Sequence, residues 1–210
     1  MTEELGGEAF WDARYGEKER IWSGKPNGAL ISEVEGMTPG RALDLGCGEG
    51  ADAIWLAERG WHVTGVDIST VALDRAAAHA ADNGVAERIT WRRLTLGDGF
   101  PEGSYDLIIS FFLHSHGDLR REDILRAATS AVAPGGVLLV VGHAGHPVWS
   151  EHRHRHEVSF PSASQVLADL DLVDEEWEVL RCHEYDIQMT RPDGVADVRS
   201  DNTVKVRRRA

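Results

Sequence analysis

Cysteine, positive charge and long apolar runs are all scarce in this chain, and each shortage removes a class of protein. The two cysteines, Cys47 and Cys182, are too few for a disulfide framework and lack the paired spacing of a zinc site. That usage fits a reducing compartment, and a cytoplasmic location is expected. Twenty-two basic side chains against 35 acidic ones leave a net charge of -13, a field that repels the phosphates of nucleic acids and anionic lipids. No nucleic-acid partner is therefore expected. No stretch approaches the roughly 20 apolar residues that span a bilayer, and the opening "MTEELGGEAF" is acidic where a signal peptide is basic and then apolar. No membrane partner is expected either. Internal repeats, low-complexity runs and long linkers are also missing, so residues 1–210 read as one domain. Of those residues 42% are hydrophobic, enough for one sizeable core.

What is present is an alternation of short apolar runs with stretches of helical period. "RALDLG" reads as a buried strand, "ADAIWLAERG" as a helix ended by Gly60, and "HVTGVD" as a second strand. "STVALDRAAAHAADNG" follows as a helix capped by Ser69 and closed by Gly84. "RITWRRLTL", "SYDLIISFFL" and "GVLLVVG" supply three more strands, with the helix "REDILRAATSAVAPGG", stopped by Pro134, before the last of them. Such βα repeats fold as a parallel sheet with helices on both faces. Near the end, "SASQVLADL" is a short helix, "EEWEVLRCHEYDI" a long strand and "NTVKVRRR" a last strand, joined through the polar loop "TRPDGVADVRSDN". Two strands linked without a helix pair antiparallel. Residues 1–40 form a helical, aromatic lead-in to the core of residues 41–210.

The turn "LDLGCGEG" joins a buried strand to a helix through Gly46, Gly48 and Gly50. Glycine there allows a sharp turn and the close approach of a ligand to the main chain, at the strand ends where open α/β sheets bind ligands. The spacing is G-x-G-x-G rather than the dinucleotide G-x-G-x-x-G. Asp44 precedes the turn, and Asp67 ends the second strand, where a carboxylate can accept both hydroxyls of a ribose. Adenosine recognition follows from that combination.

At these residues the chain resembles the class I S-adenosylmethionine-dependent methyltransferases, whose first motif is similar to "ALDLGCGEGADAIWLA" followed by "VTGVDIS". Within that family it looks most like small bacterial tellurite-resistance or thiopurine-type members, through the lead-in residues Trp11, Asp12, Arg14 and Tyr15. The resemblance implies a three-layer α/β sandwich around a seven-stranded, mostly parallel sheet with an antiparallel last strand. It implies S-adenosylmethionine as cofactor and S-adenosylhomocysteine as product. Asp44, Gly46, Cys47, Gly48 and Gly50 would surround the methionine end, Asp67 would bind the ribose, and Ile68 would flank the adenine. The family often has an acidic residue after the third strand; Thr95 and Leu96 stand there instead, as expected neighbours of the adenine. Phe111, ending the fourth strand, and Trp22, before "SGKPN", are further expected cofactor contacts. Cys47 reads as a small packing residue rather than a nucleophile, since nothing nearby in sequence supplies a base.

The activity so implied is transfer of a methyl group to a small-molecule acceptor through an oxygen, nitrogen, sulfur or chalcogen nucleophile, by a monomer or homodimer. In such an in-line displacement the protein aligns the nucleophile, excludes water and, for a hydroxyl or amine, removes a proton. Histidine suits that task. His114 and His116 follow the fourth strand, and His143, His146, His152, His154 and His156 follow the fifth. That second stretch admits three readings: a metal site, a pocket wall carrying a base, or a solvated loop. No carboxylate or cysteine stands at a convincing partner spacing, so no metal is expected, and His114 and His143 are the candidate bases. Trp11, Tyr15 and Trp22 admit two readings, a lid hinged at Gly24 and Pro26 or plain packing on the sheet. The alternatives to a methyltransferase are a non-catalytic protein binding S-adenosylmethionine or a metal on the same fold, and a nicotinamide-dependent oxidoreductase.

Overall fold

A computed structural model of the chain describes residues 6–114, 119–144, 160–190 and 193–210. Strands β1 (Arg41–Leu45), β2 (His62–Asp67), β3 (Ile89–Arg93), β4 (Tyr105–Phe111), β5 (Val132–His143), β6 (Trp177–Thr190) and β7 (Ala196–Arg208) form one seven-stranded sheet in the order β3-β2-β1-β4-β5-β7-β6. The pairs from β3 to β5 are parallel, whereas β7 runs antiparallel to both β5 and β6. This is the sheet expected from the sequence.

Helices α1 (Glu8–Gly16), α2 (Gly28–Val34), α3 (Ala51–Glu58), α4 (Thr70–Asp82), α5 (Arg121–Ala131) and α6 (Ala163–Asp169) accompany it. Helices α2, α4 and α6 start at side-chain caps, where Asn27, Ser69 and Ser162 accept from Ala29, Ala72 and Gln165 N–H. Because the central strands are buried on both faces, their side chains divide between two cores. Leu43, Ile108, Leu138, Val140 and Val204 pack with α5 and α6, while Ala42, Leu107, Ile109 and Leu139 pack with Leu30 of α2 and Leu56 of α3. Each such leucine or isoleucine, fully buried, stabilises the fold by about 1.5–3 kcal/mol.

Three boundaries differ from the sequence reading. Strand β3 stops at Arg93, so Thr95 and Leu96 lie in the turn beyond it, where Leu94 N–H bonds Asp67 O. Helix α5 ends at Ala131 instead of at Pro134, because Val132 already pairs with Tyr105 and the segment around Pro134 forms an irregularity in β5. The polar stretch read as a loop is mostly strand. β6 continues to Thr190 and β7 begins at Ala196, paired antiparallel to that end, because polar residues can occupy the solvent-facing sides of a hairpin.

Candidate active site

The turn after β1 is built mainly from backbone. Gly46, Gly48 and Gly50 have φ of 76°, 52° and 84°, in the left-handed region where a side chain is strained. Gly46 and Cys47 N–H both donate to Val66 O at 2.9 Å, locking the turn to β2. Asp67 completes the lock, since its carboxylate accepts from Gly48 N–H at 2.8 Å and Ser69 N–H at 2.9 Å. Burial raises its pKa, opposed by those backbone bonds. Asp44 is buried with Oδ2 lacking any hydrogen-bond donor. Burial, then the nearby Asp52 and Asp67 carboxylates, push Asp44 well above the usual range. A buried acid with an orphaned oxygen beside two other carboxylates makes a site complementary to a cation.

The lead-in is tied onto this turn by carboxylates. Asp12 accepts from Ser69 Oγ and from Val71 N–H at 3.2 Å, at the start of α4. Glu49, buried in the turn, accepts from Ile21 N–H at 3.1 Å, Trp22 N–H at 3.2 Å and Arg75 Nη1 at 3.0 Å. Asp52 accepts from Asn27 N–H at 2.6 Å, and burial lifts its pKa to about 6 against the pull of that bond. Tyr15 is buried, and a Cβ on Gly48 would meet its hydroxyl at 2.8 Å. Trp22 donates through Nε1 to that hydroxyl at 3.3 Å, yet is 55% exposed. Tyr15 thus packs against the turn, while Trp22 stands open beside it.

Two turn residues have their Cβ directions filled by the protein interior. A Cβ on Gly50 would strike the Trp91 ring at 2.7 Å and Ala76 at 2.9 Å, so this glycine serves packing between α3, α4 and β3. The Cys47 side chain is buried, with Sγ 3.1 Å from where a Gly65 Cβ would stand, leaving its backbone as the part that can meet a ligand. Ile68 is half-buried directly after Asp67, Thr95 is exposed, and Leu96 and Phe111 pack at the margins of the two cores.

At the other end of the same rim, β7 brings distant residues together. His143 of β5 and Asp201 of β7 are direct register partners, and Tyr185 of β6 lies across from Asp201 on the other side. His143 Nδ1 stands 2.9 Å from Asp201 Oδ1, and Arg199 holds the same carboxylate through Nε and Nη2, both at 2.8 Å. Burial would raise the Asp201 pKa, but the bonds from His143 and Arg199 outweigh it and hold the group below the usual range. An ionised Asp201 orients the His143 ring with Nδ1–H as donor, which leaves Nε2 as the nitrogen able to take a proton.

His114 is arranged differently. Its ring stacks on His143 with centroids 5.4 Å apart, and its Nε2 accepts from His143 N–H at 3.4 Å. Burial, then the Arg121 and His143 charges, lower its pKa to about 3, so it is a neutral acceptor with little affinity for a proton. Of the two candidate bases, His143 has the better geometry. Phe112 packs its ring 4.6 Å from that of His143 and carries a φ of 50°, unusual for a bulky residue. His116, His146, His152, His154 and His156 lie outside the described residues, among which no group of three or more His, Cys, Asp or Glu could hold a metal. Beside the dyad, between α2 and the β6–β7 hairpin, is a cavity of about 470 Å³ whose walls include Phe112, Tyr185, Arg199 and Asp201.

Sequence reading missed Glu49, Phe112, Arg199 and Asp201. Asp201 lies in a stretch read as loop; its signal was the alternation of Ser200, Asn202, Val204 and Val206 against Asp201, Thr203 and Lys205, which marks a strand with two distinct faces.

Residues 42–136 match the family model described as a methyltransferase domain. The chain is 32% identical over 161 residues to a 2-heptyl-1-hydroxyquinolin-4(1H)-one methyltransferase of Mycobacteroides abscessus, covering 73% of this chain and 69% of the relative. It is 33% identical over 138 residues to ribosomal RNA small subunit methyltransferase C of Alcanivorax borkumensis, covering 60% of this chain but only 41% of that longer protein. Two solved structures share the fold. TehB from Haemophilus influenzae has a TM-score of 0.69 and 19% identity, over 97% of this chain and 67% of that one. The N-methyltransferase NodS of Bradyrhizobium japonicum, in complex with S-adenosylhomocysteine, has a TM-score of 0.67 and 16% identity, over 93% and 95%. With its glycine turn, its Asp67 and its β7 inserted antiparallel, the chain belongs to the class I S-adenosylmethionine-dependent methyltransferases.

Proposed function

We propose that this enzyme methylates a small molecule, with His143 as the base that takes the acceptor's proton. The observation that carries the reading is the Arg199–Asp201–His143 arrangement at the carboxyl end of β5, on the rim that also bears the glycine turn. S-adenosylmethionine supplies a methyl group on a sulfonium, already activated for displacement. The residues present fit it. The orphaned Asp44 oxygen suits the ammonium of its methionine end, and Gly46, Gly48 and the Cys47 backbone leave room for close approach. Asp67 has lone pairs left for ribose hydroxyls, Ile68 would flank the adenine, and Thr95 and Leu96 would border it. Trp22 would cover the methionine end from the lead-in, while Phe111 would contribute from the floor. Leu113, whose Cδ1 lies 2.9 Å from where a Gly46 Cβ would stand, is a further candidate wall.

Asp201 keeps His143 in the productive tautomer, and Arg199 keeps Asp201 ionised. His114, neutral and stacked, holds the ring in place. A base positioned in this way contributes about 10²–10⁴-fold to proton transfer. Support for a small acceptor over ribosomal RNA comes from the net charge of -13, which opposes phosphate binding. We read residues 1–210 as one working unit, because Asp12, Glu49 and Asp52 bind the lead-in to the core. The test is a screen of S-adenosylhomocysteine release over phenols, amines, thiols, chalcogen oxyanions and purified ribosomal RNA, with wild type and His143→Ala. Turnover on a small acceptor that collapses in His143→Ala is expected; turnover on RNA alone, or none lost in the variant, would reject the reading.

A further inference from the structure

The cavity of about 470 Å³ between α2 and the β6–β7 hairpin has the size of a small-ligand site. The lining includes Phe112, whose ring also packs on His143, and His183 and Tyr185, with ring centroids 5.5 Å apart. Each carboxylate or guanidinium of its lining already has an opposite partner. Asp201 is paired with Arg199, and Glu33 lies within 3.2 Å of Arg181 and 3.3 Å of Lys205. A charged guest would meet lining charges that are already paired, whereas a neutral ring would lose little on leaving water. Two lining residues touch the proposed base, Asp201 through its bond to His143 Nδ1 and Phe112 through its ring, 4.6 Å from that of His143.

We infer that this cavity is the acceptor site and that the acceptor is a neutral hydroxylated ring compound, held against the rings of Phe112 and the hairpin with its hydroxyl towards His143. The inference rests on the reading of His143 as the base. In the transfer the ring O–H bond breaks and its proton passes to His143 Nε2. The oxygen pair then forms the new bond to the methyl carbon as the carbon–sulfur bond breaks, its electrons staying on sulfur. His143 later releases the proton to water.

The test uses the full chain and 1-naphthol, with 1-naphthalenethiol as the isosteric soft nucleophile. Calorimetry without cofactor should show 1-naphthol binding to wild type. Filling the cavity from either wall, by Ile187→Trp or Ser32→Phe, should weaken that binding at least tenfold while S-adenosylmethionine affinity stays at the wild-type value. Turnover should favour the naphthol, and His143→Ala should cost the naphthol at least tenfold more than it costs the thiol. Absence of naphthol binding, indifference to both filling variants, or preference for the thiol would overturn the inference. Failure of S-adenosylmethionine itself to bind would instead strike the functional reading, and naphthol titration would still report on the cavity.

Discussion

Around the turn after β1, the groups proposed to meet the cofactor come from residues 44–48 and from Asp67, and backbone amides do most of the holding of the turn. Around the end of β5, the equivalent work falls to the side chains of His114, His143, Arg199 and Asp201, brought together across 58 residues of chain between His143 and Asp201. The first region is defined by local geometry and needs small residues plus two carboxylates. The second is defined by strand register, because a slip of one residue between β5 and β7 would turn Asp201 to the opposite face. Cofactor binding and acceptor activation should therefore fail separately.

The largest expected effect is on the first region. Asp67→Ala removes the acceptor of Gly48 and Ser69 N–H along with the proposed ribose contacts. Hydrogen bonds to a charged group are worth about 1.5–3 kcal/mol each, so S-adenosylmethionine affinity should fall about 100-fold or more by calorimetry. An unchanged affinity would show that the turn alone holds the cofactor. On the second region, His143→Ala should lower kcat for a hydroxyl acceptor about 100-fold or more with cofactor affinity intact; equal losses in both would erase the separation. Glu49→Gln probes the tie between the lead-in and the turn. Weakened charge-assisted bonds to Ile21, Trp22 and Arg75 should raise the cofactor Kd by roughly 5- to 30-fold, the equivalent of about 1–2 kcal/mol. Faster amide exchange at Ile21 and Trp22 should accompany it.

A separate effect is read in stability rather than in binding or turnover. His114 titrates near 6.5 unfolded and at about 3 folded, so between those values the unfolded chain binds the extra proton. Its contribution is fully present above pH 6.5 and is lost as pH falls towards 3, with a limiting slope of about 1.4 kcal/mol per pH unit. His114→Gln should flatten chemical-denaturation stability against pH across that window, and an unchanged slope would show that the group is not held neutral.

Legibility in the sequence followed the same division. The order of strands and helices, the Ser69 cap, the glycine turn and Asp67 were readable because each depends on neighbours within a few residues. The packing constraint on Gly50 is not legible, because the Trp91 ring that imposes it comes from another strand. Arg199 and Asp201 were hidden inside what looked like a polar loop, since hairpin register is not written in composition. His143 was singled out as a candidate, but what distinguishes it from His114 is a carboxylate from β7 and a backbone amide, and neither is visible in "FFLHSHGD" or "VVGHAGH".

Phe112 shows how the two demands of folding and chemistry meet in one residue. A bulky side chain held at φ 50° costs the chain about 1–3 kcal/mol of backbone strain. Glycine at that position would relax the backbone but remove the ring that packs on His143 and walls the cavity. Relief of that strain would come only with loss of the ring, so the backbone conformation at this position and the shape of the cavity wall are set together.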